Sequence, residues 1–143
     1  MNTYARLPLS FVRGSGCWLY DEFGQRFFDT TSGIAVCGLG HSHPAVTKAI
    51  CAQAGQLLHC SNHYHIPLQR HLAEKLCGVA AMDAAFFCNS GAEANETAIK
   101  LARLHGRSRR IEAPAVIVME NAYHGRTLAT LSASRIRRMQ AGF

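Results

Sequence analysis

The stretch Ala84–Arg103, AAFFCNSGAEANETAIKLAR, constrains the fold more than any other. Ala84–Cys88 is a short apolar run that predicts a buried strand. The small residues Asn89-Ser90-Gly91-Ala92 then predict a tight turn. Ala94, Ala98, Ile99 and Ala102 recur at helical spacing, which predicts a helix with one apolar face. Ser90 and Glu93 fit the Ser-x-x-Glu capping box ahead of that face. A strand, a glycine turn and a helix start leave free backbone N–H groups at a terminus carrying roughly half a positive charge. Such an end binds anions, phosphate above all. A side chain at position 91 would hold a phosphate off the backbone. The same junction also caps helices that hold nothing, and neither G-x-x-x-x-G-K-[ST] nor G-x-G-x-x-G is present.

The second apolar run, Ala115–Met119, follows Pro114 and predicts another strand. From residue 84 the order is therefore strand, helix, strand, with Thr127–Ser134 as a further short helix. Two apolar strands around a crossover helix predict a parallel α/β sheet, which two strands alone leave incomplete. Glu96 and Lys100, at i and i+4 on the helix, predict a surface ion pair. His105-Gly106 predicts that helix's end.

Upstream, residues 1–15 predict an irregular opening. Cys17–Tyr20 and Arg26–Asp29, around Asp21-Glu22-Phe23-Gly24-Gln25, predict a β-hairpin. Thr30–Gly40, with Gly33, Gly38 and Gly40, predicts an irregular loop. Pro44 suits the first turn of a helix whose apolar stripe is Val46, Ala49, Ile50, Ala54 and Leu57. A second helix spans about Leu68 to Leu76 and closes at Gly78.

With 48% hydrophobic and 17% charged residues, the 143-residue chain has a globular rather than a disordered composition. The net charge of +6 admits a nucleic-acid binder, but apart from Arg107/Arg109/Arg110 and Arg135/Arg137/Arg138 the basic residues are dispersed. Both clusters read as solvated surface, so no nucleic-acid partner is expected, and no run approaches 18 apolar residues, so no membrane span is expected. The six cysteines form no C-x-x-C pair, and Met1–Arg6 has no apolar leader, which together predict a cytoplasmic chain with reduced thiols.

Three constellations besides the helix start are candidates for chemistry. Asn121–Thr127, NAYHGRT, follows the second apolar run, and ligands in open α/β sheets sit outside the carboxyl ends of strands. Tyr123 then stacks on a flat ring and Arg126 grips a carboxylate bidentately; alternatively, one is a packing residue and the other a solvated charge. His41, His43, His59, His63 and His65, with Cys60, match no standard zinc spacing, and no metal is expected. The absence of G-x-S-x-G removes a hydrolase elbow.

Taken together, SGAEANETAIKLAR and NAYHGRT resemble the phosphate-cup helix and second motif of class III aminotransferases, which use pyridoxal 5'-phosphate. NTYARLPL, WLYDEFGQRFFD, SGIAVCGLGHSHPAV and SNHYHIP resemble the bacterial acetylornithine/succinyldiaminopimelate branch of that family. The resemblance implies the N-terminal part of a type I aminotransferase fold. Residues 1–66 would be the N-terminal segment of the small domain, and 67–143 the first part of the large cofactor-binding domain. It implies cofactor binding by Ser90, Gly91, Ala92 and Tyr123, and substrate-carboxylate binding by Arg126. Ile34–Gly40 would approach the substrate pocket, while His65 stands where an aromatic residue is expected. It implies amino-acid and 2-oxo-acid substrates, a homodimer, and exchange of an amino group between N-acetylornithine and 2-oxoglutarate. Ornithine, succinylornithine and 4-aminobutyrate transaminases are the alternatives within the family, and a small basic binding module is the alternative outside it. The family's Schiff-base lysine falls beyond residue 143. Lys48, Lys75 and Lys100 match no catalytic motif, so the resemblance implies a catalytically inactive N-terminal fragment.

Overall fold

The computed structural model describes residues 3–143; Met1 and Asn2, which begin the expected irregular opening, lie outside the described residues. The chain separates into two compact units at Ile66/Pro67.

The first unit is built on a three-stranded antiparallel sheet in the order β1 (Phe11–Ser15), β2 (Trp18–Asp21), β3 (Arg26–Phe28). The expected hairpin is β2–β3. Its turn is shaped by Asp21, whose Oδ1 accepts from the Phe23 and Gln25 amides at 3.0 and 2.8 Å. β1 is an addition to the expectation of an irregular opening. Its residues offer no clean alternation, but cross-strand partners hold it: Phe11 meets Phe27 edge-on at 5.4 Å, and the Arg13 guanidinium lies 3.6 Å from the Tyr20 ring centroid. The register slips between Phe11 and Arg13, which bends the strand at Val12.

The expected irregular loop after β3 contains one ordered turn, α1 (Ser32–Ala35). Ser32, Gly33, Ile34 and Ala35 have φ of 50, 66, 63 and 62°, so the turn is left-handed. Left-handed backbone costs about 1–2 kcal/mol for each non-glycine residue. Asp29 offsets that cost by accepting from the Thr31 and Ser32 amides at 3.0 and 2.9 Å and from the Thr31 hydroxyl. Its other oxygen meets His41 Nε2 at 2.6 Å, and His41 exchanges two backbone hydrogen bonds with Gly16. The loop is thus closed at its base onto the sheet. His41 is accounted for by this latch rather than by a ligand, and α2 (Pro44–Ala54) starts at Pro44 as expected. Among the described residues no group of three His, Cys, Asp or Glu is arranged to hold a metal ion.

The second unit contains α3 (Pro67–Ala80), α4 (Gly91–Ser108), α5 (Leu128–Ala133) and α6 (Arg137–Gln140). Two expected helix ends are corrected. α3 runs through Gly78, because a glycine inside a helix costs only about 1 kcal/mol and does not stop it. α4 runs through Gly106, where the absent side chain has a different use: a Cβ there would lie 2.7 Å from Pro114 Cγ. The glycine lets the chain fold back onto its own helix.

The expected parallel sheet is also corrected. Neither Ala84–Cys88 nor Ala115–Met119 joins a ladder among the described residues, whose one sheet is antiparallel. A parallel strand needs a neighbour, and a crossover helix does not oblige its two strands to be adjacent. Neither run has a neighbour here, so Phe86 and Ile117 stand 69% and 95% exposed. The crossover packing itself is partly present. Val116 and Val118 line, with Ala98, Ile99 and Ala102 of α4, a groove of about 260 Å³. No helix among the described residues is long and apolar enough to cross a membrane.

The core is correspondingly thin. Leu131 is the one buried hydrophobic side chain among the described residues. The chain exposes 12647 Å², against about 7,300 Å² for a folded monomer of this mass. A protein of this size that buries so little lacks the usual source of cooperativity. Thermal unfolding of the isolated chain, followed by calorimetry, is expected to show a broad, low-enthalpy transition; a sharp two-state peak would contradict this.

The latch has a pH signature. Its hydrogen bond to His41, together with those from Thr31 and Ser32, holds Asp29 at about 2, below the ordinary 3.8, against a smaller opposing effect of burial. A carboxylate with a depressed folded value stabilises above its unfolded value and loses that contribution as pH falls through the folded one. The latch is therefore intact above about pH 4 and is lost on the way down to about pH 2. Carboxyl carbon shifts followed by NMR are expected to give Asp29 a midpoint near 2; a midpoint near 4 would remove the latch.

Candidate functional site

The site candidates of the second unit converge on the start of α4. Ser90 is its N-cap, in extended conformation, and Gly91 and Ala92 are the first two helical residues. The capping box is complete. Ser90 Oγ accepts from the Glu93 amide at 3.2 Å, and Glu93 Oε2 accepts from the Ser90 amide at 2.9 Å. Those two bonds consume the Ser90 and Glu93 donors. They leave the Gly91 and Ala92 amides as the two donors at this end with no partner among the described residues. A Cβ built on Gly91 would meet no heavy atom within 4 Å, so the space before these amides is open. Unpaired amides at a positive helix end, with open space before them, suit a phosphate group.

The loop Asn121–Thr127 lies against this same end. A Cβ on Gly125 would fall 2.9 Å from the Ala92 methyl and 2.6 Å from Thr130 Oγ1. The backbone at Gly125 also has φ of +131°, which side chains rarely adopt. Only glycine permits this approach, and it brings the loop carrying Tyr123 and Arg126 onto the first turn of α4. Tyr123 is 57% exposed, and Arg126 follows Gly125 directly.

Polar contacts fix the loop, and the sequence did not announce them. Asn95 Nδ2 donates to the His124 carbonyl at 2.8 Å. The Thr127 hydroxyl donates to Glu96 Oε1. Glu96 therefore serves the loop, and the expected Glu96–Lys100 ion pair does not form among the described residues. The partner that won is a hydroxyl held in place by the fold, against a flexible solvated ammonium. Behind the loop, Thr130 and Ser134 are fully buried; Ser134 Oγ accepts from the His124 amide at 2.9 Å, and Thr130 Oγ1 accepts from the Thr127 amide at 3.0 Å. The only hint in the sequence was the run of hydroxyl residues in Thr127–Ser134.

Gly125→Ala forces a methyl into Ala92 and Thr130 and strains the backbone. It is expected to destabilise the second unit by about 2–4 kcal/mol and to increase hydrogen exchange across Tyr123–Thr127. Exchange unchanged from wild type would contradict the packing described.

A family model described as aminotransferase class-III matches residues 1–143. The acetylornithine aminotransferase of Nitrosomonas europaea is 58% identical over 143 residues, all of this chain and 36% of the relative. The chain thus spans about a third of the length of the curated relatives it matches. The crystal structure of N-acetylornithine aminotransferase from Stenotrophomonas maltophilia matches 85% of the chain with a TM-score of 0.78 and 40% identity, over 34% of its own length. A structure of the ornithine aminotransferase from Toxoplasma gondii, described as having partial occupancy of PLP at its active site, matches 99% of the chain with a TM-score of 0.89 and 27% identity, again over 34% of its length. This chain belongs to the class-III aminotransferases.

Proposed function

We propose that the chain is the cofactor-phosphate and ring-binding portion of an acetylornithine aminotransferase, which moves the terminal amino group of N-acetylornithine to 2-oxoglutarate. The products are N-acetylglutamate semialdehyde and glutamate. The observation that carries the reading is the contact of Gly125 with Ala92, because it joins an anion-binding helix end to a loop bearing a ring and a guanidinium. The choice of acetylornithine over other amino donors rests on the relatives of that name.

In this reading the Gly91 and Ala92 amides, with the Ser90 hydroxyl, hold the phosphate of pyridoxal 5'-phosphate. Both amides are without a partner among the described residues and would donate to the phosphate, and the helix end would add its partial charge. The capping box supports this role, since Glu93 satisfies the Ser90 amide and keeps the first turn in place. Tyr123 stacks on the pyridine ring and limits its tilt. Arg126 binds a substrate carboxylate through its planar fork, which orients the amino donor relative to the ring. When bound, the cofactor supplies an electron sink for amino-group transfer. The reaction also needs a lysine amine, and Lys48, Lys75 and Lys100, which lie exposed on α2, α3 and α4, match no catalytic motif of the family. The active assembly is a homodimer of chains as long as the relatives.

Equilibrium dialysis tests the reading. The chain is expected to bind pyridoxal 5'-phosphate at least about tenfold more tightly than pyridoxal, with Tyr123→Ala costing about three- to tenfold. Borohydride treatment with stoichiometric cofactor is expected to label none of the three lysines. Equal affinity for the two ligands would overturn the phosphate site, and stoichiometric labelling of one lysine would overturn the claim that the amine lies elsewhere.

A further inference from the structure

Tyr123 combines an exposed ring with a backbone held at every neighbouring peptide group. The Ala122 carbonyl accepts from the Arg135 amide at 3.1 Å. The His124 amide donates to Ser134 Oγ at 2.9 Å, and the His124 carbonyl accepts from Asn95 Nδ2 at 2.8 Å. These bonds fix three successive peptide planes, two of them flanking Tyr123. An exposed aromatic on a surface loop ordinarily needs no such support. The outermost of the three contacts comes from a different element: Asn95 lies on α4, one helical turn past the Gly91 and Ala92 amides. The side chain that ties the loop down therefore belongs to the helix whose end is the anion site.

We propose that Asn95 is a positioning residue that sets where the Tyr123 ring stands relative to the start of α4, acting through the His124 carbonyl with Ser134 as its counterpart on the His124 amide. The inference rests on the cofactor reading above and deepens it. A phosphate site and a ring site serve one ligand only if the distance between them is held, and Asn95 is the covalent continuation of one site bonded directly to the backbone of the other. An amide suits the task because it offers a neutral donor to the carbonyl. Asn95 is half-buried, and removing its donor leaves that carbonyl without its partner.

The test compares wild type with Asn95→Ala and the similarly sized Asn95→Leu, each alone and combined with Tyr123→Ala; the exposed Arg70→Ala on α3 is the control. Hydrogen exchange at the His124 and Gly125 amides, measured without ligand, is expected to quicken about tenfold in both Asn95 variants and in Ser134→Ala. Pyridoxal 5'-phosphate affinity is expected to fall in the Asn95 variants by no more than the roughly three- to tenfold loss of Tyr123→Ala, with little further loss when Asn95→Ala is added to Tyr123→Ala, because both changes remove the same ring contact. Unchanged exchange, or an Asn95→Ala loss that persists in full on the Tyr123→Ala background, would overturn the inference alone. A wild-type chain that binds no pyridoxal 5'-phosphate would overturn the cofactor reading, and with it the role given to Asn95.

Discussion

The contact between the backbone at Gly125 and the Ala92 methyl is the constraint on which the functional unit depends. It is possible only because position 125 lacks a side chain and adopts a positive φ. Once it is made, the loop after the second apolar run has no freedom to leave the first turn of α4. The polar contacts then follow from it: Asn95 and Glu96 face the loop from the helix, and Thr130 and Ser134 support it from behind. A helix end with spare amides is common, and so is a loop with a tyrosine and an arginine. Their enforced adjacency is the feature on which the proposed function rests.

This local order contrasts with the sparse burial around it. Ala84–Cys88 and Ala115–Met119 have the composition of strands covered on both faces, yet they join no sheet among the described residues. Buried hydroxyls, not buried hydrocarbon, make the tightest part of the second unit. The unit therefore presents a well-specified site on a weakly buried support. The curated relatives that the chain matches are about three times as long.

The site's helix was legible because its signals are local. Ser90 and Glu93 are three residues apart and satisfy one another, and the apolar spacing after them fixes the helix direction. The hairpin was legible for the same reason, in the Asp21–Gln25 turn. What escaped depends on residues far apart in the chain. β1 is held by rings on other strands, and the left-handed turn at Ser32–Ala35 by Asp29 and its latch to His41. Gly106 looked like a helix stop because glycine commonly is one, and its use as a seat for Pro114 needs the chain's return path. Glu96 paired on paper with the nearest opposite charge, whereas the folded chain offers it the Thr127 hydroxyl. The candidates Ser90, Gly91, Ala92, Tyr123 and Arg126 were proposed from motifs in the sequence; Asn95, Gly125, Thr130 and Ser134, which fix the loop against the helix, could not be.

Whether the loop and the helix end touch in solution decides the proposed site. The most direct measurement is a nuclear Overhauser contact between the Ala92 methyl and the Gly125 α-protons in isotopically labelled chain. The structure predicts a strong cross-peak, because even a Cβ added to Gly125 would lie within 2.9 Å of that methyl carbon. Absence of the cross-peak, with both resonances assigned, would separate the ring and guanidinium from the amides and contradict the proposed site.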